Sequence, residues 1–352
     1  MILEKDWSTR SFSFVVHMSG DFMFKEVLEE AKEWARILHC SYVSDLNSII
    51  ERGDIGDLIR VSEALHEKKI ANIADRVAGD MENKRLILIA GPSSSGKTSF
   101  AQRLRVQLMV MGLQPVSISI DNYFVNRLDT PKLPDGSYDF ESIDAVDTEL
   151  FNDHLARLMR GESVLTPVYD FKEGIRDPDY GVELRIGVNQ PIIIEGIHGL
   201  NEKLTSAIPR EHKFKLYVSA LNQLNMDENI RISTSRVRLL RRIVRDYRTR
   251  GRSASGTISL WPGVRAGEEK YIFPYQDDAD VMFNSALIYE LVVLKRYAMY
   301  MLAEIEPEDR NFEKGQELLA FCRKFKTIYD DKDIPSNSLI REFIGGSCFN
   351  VR

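Results

Sequence analysis

The chain has 352 residues, with 47 Lys and Arg against 53 Asp and Glu, for a net charge of −6. Apolar residues make up 43% and charged residues 28%, an ordinary globular balance that excludes a disordered, collagen-like or disulfide-stapled chain. The mild acidity argues against a surface built wholly for nucleic acid, although an average conceals local patches. Cys40, Cys322 and Cys348 stand far apart with no CxxC pair, which excludes a zinc ribbon or redox dithiol and points to reduced thiols. The opening MILEKDWSTRSFSFVV has no long apolar core and does not read as a signal peptide. Apolar runs such as 86–90 and 192–194 are too short to span a bilayer. The expectation is a soluble cytoplasmic protein with no membrane partner.

In chain order, residues 1–20 carry no clear pattern and are expected to form an arm or a strand. Phe24, Val27, Leu28, Ala31, Trp34, Ala35 and Leu38 mark one helical face. A short helix is predicted from near Ser44 to Gly53. Another runs from about Asp57 to Val77, with Leu58, Ile59, Ser62, Leu65, Ile70, Ile73 and Val77 inward. The pattern then changes. Residues 86–90 read as a buried strand, 98–111 as a helix, and 115–120, 191–194 and 214–218 as further strands. After Ala279 the chain is expected to turn helical again, over 286–305 and 312–328. Strands separated by helical stretches imply a parallel α/β sheet with helices on both faces.

Gly91-Pro92-Ser93-Ser94-Ser95-Gly96-Lys97-Thr98 matches GxxxxGK[ST] between a predicted strand and helix. Glycines let backbone N–H groups curl around phosphate oxygens, and the helix N-terminus favours negative charge. Gly91, Ser93, Ser94, Ser95, Gly96, Lys97, Thr98 and Ser99 are therefore expected to bind the phosphates of a nucleoside triphosphate. Lys97 would reach the β- and γ-phosphates and Thr98 would ligate Mg²⁺. The fold class predicted is a P-loop NTPase-type parallel sheet flanked by N- and C-terminal helical segments. Its expected divisions are a helical module over 1–82, a core over 83–284 and a helical extension over 285–352.

Asp121 directly follows a predicted strand, where a carboxylate faces the ligand crevice and can accept a substrate proton or hold Mg²⁺. Glu195 ends another strand in the same way and is a second metal-side carboxylate candidate. A turn aspartate and a strand-end structural glutamate are the plainer alternatives. Residues 231–252 contain nine arginines (231, 236, 238, 241, 242, 245, 248, 250, 252), no lysine and one acid, Asp246. That segment carries +8 against −14 for the rest of the chain. At helical spacing Arg238, Arg241, Arg242 and Arg245 share a face. A triphosphate is the nearest polyanion for such guanidinium forks. The alternatives are a helix paired to acids elsewhere, or a nucleic-acid patch, which the near absence of interleaved aromatics disfavours.

The ordered motifs GPSSSGKT, SIDNYF, YDFESIDAVD, PVYDF…R, IIIEGIHGL, RLLRRIVRDYRTRGR and EEKYIFPYQDDADVMFN resemble the uridine kinase/phosphoribulokinase family of P-loop kinases, over residues 86 to about 284. DLIRVSEALHEKKIANIADRV and IPSNSLIREFIGGSCF extend the resemblance to bacterial uridine kinase-like nucleoside kinases. Longer members of that subgroup carry threonyl-tRNA-synthetase-like N-terminal regions, against which this chain looks shortened or divergent. The resemblance implies that Asp121 is the general base toward a nucleoside 5′-hydroxyl, uridine or cytidine. It places Thr98, Glu195 and Asp121 around Mg²⁺, with ATP or GTP as donor. Arg245, Arg250 and Arg252 correspond to lid arginines (lid about 231–256), and Arg242 to an arginine near the acceptor. Phe140 and Glu141 align with a Phe-Asp pair whose acid holds the ribose hydroxyls. Tyr169 and Phe171 match aromatics of the base pocket, with ordinary core packing as the alternative, and Arg176 matches a nearby motif position. Family members are often homo-oligomers.

Two departures matter. The histidine that contacts the pyrimidine falls at Gly174 here, and a base-contacting glutamine falls at Leu260. Both losses weaken the case for uracil. His198 is either a replacement contact or a loop histidine. Two other readings stay open: a kinase of the same family acting on a sugar phosphate or pantothenate-like alcohol, and a nucleotide-regulated RNA-binding or scaffold protein.

Overall fold

The computed structural model describes residues 20–134, 136–170, 173–187 and 189–350. The arm or strand expected over residues 1–20 lies almost wholly outside them, as does Phe171. Three helices lead: α1 (Gly20–Ile37), α2 (Val43–Arg52) and α3 (Ile55–Gly79). Gly53 ends α2 in the left-handed region, as the sequence stop signal predicts. In α3 the inward residues include Leu58, Ile59, Ser62, Ile70, Ile73 and Val77, while Leu65 is half-buried and Glu63 and His66 are buried in addition.

The central sheet is formed by β1 (Leu86–Ala90), β2 (Val116–Ser119), β5 (Ile192–Glu195), β6 (Lys213–Ser219) and β7 (Val281–Asn284). Their order is β2-β5-β1-β6-β7, and every pairing is parallel. Between them lie α4 (Lys97–Val110), α5 (Thr148–Met159) and an antiparallel hairpin of β3 (Val164–Asp170) and β4 (Ile175–Leu184). The helices α6 (Thr234–Arg250) and α7 (Ala254–Tyr271) precede β7, and α8 (Glu290–Ala303), α9 (Phe312–Arg323) and α10 (Arg341–Ile344) follow it. No helix of the described residues is long and apolar enough to cross a membrane.

Residues 281–284 carry no predicted element; they form the edge strand β7 beside β6, and the helix expected from 286 begins at Glu290 as α8. Val281, Met282 and Phe283 are all buried, because a strand next to the helix layers has both faces covered.

Period-2 alternation splits the sheet's side chains between two cores. Ile87, Ile89, Leu216 and Val218 point into a layer shared with α2, α3, α4, α6, α8, α9 and α10. Leu86, Leu88, Ala90 and Tyr217 point into a second layer with α5. The first layer includes Val43, Ile70, Phe100, Leu294 and Phe343, so residues from both ends of the described chain pack on the same sheet face as the P-loop helix.

Candidate active site

The strand order dictates where chemistry gathers. β5 lies between β2 and β1, and Glu195 registers with both Ser119 and Ile89. The residues that leave the carboxyl ends of three adjacent strands, namely the P-loop after β1, Asp121 after β2 and Glu195 closing β5, therefore share one edge of the sheet. They line a cleft of about 330 Å³ with Ser93, Ser94, Gly96, Lys97, Thr98, Phe140, Glu141, His198, Arg242, Arg245, Arg250 and Glu342. Phe124 and Ile197, unmarked by sequence reasoning, also line it.

The P-loop has the conformation its sequence predicts. Gly96 is left-handed (φ +85°), and a Cβ there would lie 2.8 Å from Leu339, so only glycine fits. Ser94 is also left-handed, at φ +58°. Its carbonyl accepts from Arg241 at 3.3 Å, and the Ser95 carbonyl accepts from Ser285 Oγ. Glu268 accepts the Ser93 N–H at 3.0 Å, and Arg242 donates to Ser93 Oγ at 2.6 Å. Ser95 and Ser99 are fully buried.

Thr98 Oγ1 donates to Glu195 Oε1 at 2.9 Å. Burial pushes the Glu195 carboxyl up, while Lys97 and the Thr98 hydrogen bond pull it back. Lys97 donates to the Pro92 carbonyl at 3.2 Å; burial lowers its pKa, and Glu195 and Glu342 oppose that. Asp121 sits in a short 3₁₀ turn, Ile120–Tyr123, open to the cleft but walled by it. Enclosure raises its carboxyl above the usual range, with Lys97 and then Arg250 pulling the other way. Burial also raises Glu141, against Arg242.

The arginine segment divides. Arg238 pairs bidentately with Glu268, Arg241 pairs with Glu290, and Arg236 reaches Glu317, so these three answer to acids elsewhere in the scaffold. Arg242, Arg245 and Arg250 line the cleft. Asp246, fully buried, faces Arg245 at 2.8 Å, Arg242 at 3.3 Å, Arg250 at 3.5 Å and Arg252 at 3.7 Å. Arg252 thus joins the cluster without lining the cleft.

The remaining expected substrate residues are more dispersed. Phe140 is exposed and Glu141 half-buried, both on the cleft. Tyr169 is buried with its ring 5.8 Å from that of Phe124, one step behind the cleft wall. Arg176 donates to Asp147 at 2.8 Å, and Asp147 caps α5 through the Leu150 N–H, so Arg176 ties the hairpin to α5. Gly174 is left-handed (φ +75°), and a Cβ would fall 2.5 Å from the Arg127 guanidinium, so a histidine there would need a strained backbone and a shift of the Arg127 side chain. Leu260 is exposed on α7 and is not among the cleft residues. His198 is 3% exposed and lines the cleft, with its pKa lowered by burial to about 4. Sequence reasoning missed Glu268, Glu290 and Glu342. The first lies in the EEKY motif and the last in the IREFIGG segment, so each was visible as pattern but not as contact.

The set of oxygen donors suits Mg²⁺. Among the described residues no cluster of three His, Cys, Asp or Glu stands ready to hold a metal unaided. Magnesium needs none, since it is commonly held by one or two carboxylates completed by phosphate oxygens and waters. Thr98, Glu195 and Asp121 fit that pattern.

A family model described as "Phosphoribulokinase / Uridine kinase family" matches residues 86–288. Among curated proteins, a uridine kinase of Brevibacillus brevis is 30% identical over 57% of this chain and 85% of its own length. A uridine kinase of Halobacterium salinarum is 28% identical over 55% of this chain and 77% of its own. The solved D-glycerate 3-kinase of Cryptococcus neoformans is similar over 72% of this chain and 87% of that one, at 16% identity and a TM-score of 0.33. With its P-loop, strand-end carboxylates and arginine cluster inside the matched span, this chain belongs to the phosphoribulokinase/uridine kinase family and is a kinase, a phosphotransferase.

Proposed function

We propose that this protein transfers the γ-phosphoryl group of ATP or GTP to the 5′-hydroxyl of a nucleoside, uridine or cytidine, in the cytoplasm. The observation that carries the reading is the shared cleft, in which Asp121 lies among the same lining residues as Lys97, Thr98, Glu195, Arg242, Arg245 and Arg250. Lys97 and the arginines supply positive charge where phosphoryl transfer spreads negative charge over the γ-oxygens. Asp121 accepts the acceptor's proton, and its raised pKa makes it a better base than an ordinary aspartate. Glu141 and Phe140 orient the ribose. Mg²⁺, held by Thr98 and Glu195 with Asp121 nearby, neutralises charge on the donor phosphates when bound.

A second acceptor class is favoured by a specific observation: Gly174 is in the left-handed region beside the Arg127 guanidinium, and Leu260 is not among the cleft-lining residues. Neither position offers the polar readout that a uracil-selective pocket needs. A coupled ADP-release assay across uridine, cytidine, phosphosugars and pantothenate separates the readings. Turnover confined to nucleosides supports the first. Turnover with none of them but with another alcohol supports the second.

A further inference from the structure

Leu339 lies against Gly96 of the P-loop, and Glu342, three residues on, lines the cleft with its carboxylate in an anion's place. Glu342 Oε2 accepts from the Ser99 backbone N–H at 3.2 Å and from Ser99 Oγ at 2.9 Å. Ser99 is in the first turn of α4, where backbone N–H groups lack partners within the helix and the dipole favours negative charge. A backbone N–H and a hydroxyl converging on one oxygen are also the donors a phosphoryl oxygen would use. Glu342 also lies close enough to Lys97 to stabilise its proton.

We infer that Glu342 is an internal stand-in for phosphate at the P-loop helix, which a nucleotide must displace before it makes full contact. This rests on the reading that the P-loop holds a nucleoside triphosphate. One N–H cannot serve both anions, and a carboxylate left among the phosphates would repel them. The backbone around Glu342 is fixed on both sides. Phe343 is fully buried under the Arg241 guanidinium, 5.1 Å from its ring, and its carbonyl accepts from Arg248 at 2.7 Å. Arg341 donates to the carbonyls of Ile334 at 2.6 Å and Asp331 at 2.9 Å. Displacement is therefore a rotation of the Glu342 side chain on a stationary tail. The contact has two effects: it satisfies the Ser99 donors and balances Lys97 in the free protein, and it lowers affinity for any ligand that brings its own phosphates.

Glu342→Gln keeps the shape and removes the charge. If the docked form is about 90% populated, the variant binds Mg·ATP and Mg·ADP about tenfold more tightly by calorimetry. The free variant melts at a lower temperature than the parent, because the Ser99 donors then face a weaker acceptor. Tighter binding with lower stability is the expected pair, whereas a merely structural glutamate would lower both. Glu342→Ala should also tighten binding. Lys97→Ala is measured in parallel to test the P-loop reading itself. Lys97-dependent binding that is unchanged or weakened in Glu342→Gln overturns the inference and leaves the P-loop reading standing. No Mg·ATP binding by either parent or Glu342→Gln overturns both.

Discussion

Glu268 offers the sharpest link between scaffold and site, and Glu268→Gln tests it. The carboxylate is fully buried and meets Arg238 through two hydrogen bonds of 2.7 and 2.6 Å, Arg265 at 2.7 Å and the Ser93 N–H at 3.0 Å. Arg238 is 1% exposed, and burial has already lowered its pKa to about 10 against the pull of Glu268. Neutralising Glu268 leaves that guanidinium without its counter-charge, beside the like charge of Arg265. Breaking a buried pair from one side costs about 3–5 kcal/mol; glutamine keeps a carbonyl acceptor, which places the loss near about 3 kcal/mol. That is a large share of a typical total stability of about 5–15 kcal/mol. With a urea dependence of about 3 kcal/mol per molar, the unfolding midpoint falls by about 1 M, read by far-UV circular dichroism. Arg238→Met combined with Glu268→Leu should recover part of the stability, since no fully buried charge is then stranded and Arg265 keeps Glu269 at 3.3 Å. A midpoint shift of Glu268→Gln below about 0.3 M would refute the reasoning.

Asp121→Asn should reduce kcat by about 10²-fold or more while Mg·ATP binding stays near the parent value; unchanged turnover removes the base assignment. Because burial raises the Asp121 carboxyl, activity in the parent should fall as pH drops through a value higher than that of an ordinary aspartate, and that acidic limb should vanish from the variant's residual rate. Arg250→Ala should act mainly on kcat, as expected for a group engaged in the transition state, and an effect confined to KM contradicts that role. His198→Leu removes a buried polar group of the cleft wall. A rise of about tenfold in acceptor KM, with donor KM constant, is expected if its ring touches the acceptor, and no change in either assigns it to loop packing.

What the sequence made legible was local. The P-loop and Glu195 follow contiguous apolar runs and Asp121 follows the alternating run 116–120, so strand, turn and functional residue lie within a dozen positions. Helices α1 to α3 were legible through 3.6-residue spacing. The helix α7 was not: Gly256, Gly263, Gly267 and the internal Pro262 all disfavour helix, and it forms because Ile258, Trp261 and Val264 are buried against its neighbours. The strand β7 was not marked at all, because its four residues, Val281 to Asn284, are too few to carry a period. Contacts distant in sequence left no local trace. Glu342 meets Ser99 across 243 positions, and Glu290 meets Arg241 across 49.

The arginines show how such partners decide function. Helical spacing groups Arg238, Arg241, Arg242 and Arg245 on one face, but α7 and α8 bring Glu268 and Glu290 to the first two and neutralise them. The cluster left at the cleft has a different balance, with four guanidinium groups around the single carboxylate of Asp246. Burial alone would raise that carboxyl, yet Arg245 and Arg250 outweigh it and keep it below its ordinary value. Asp246, with Glu141 acting on Arg242, does not offset all four cations: burial and then Arg245 depress the pKa of Arg250. Under the proposed function, a polyanion held over Lys97 would relieve this repulsion. The same excess of cations lets a carboxylate such as Glu342 line the cleft of a chain whose net charge is already −6.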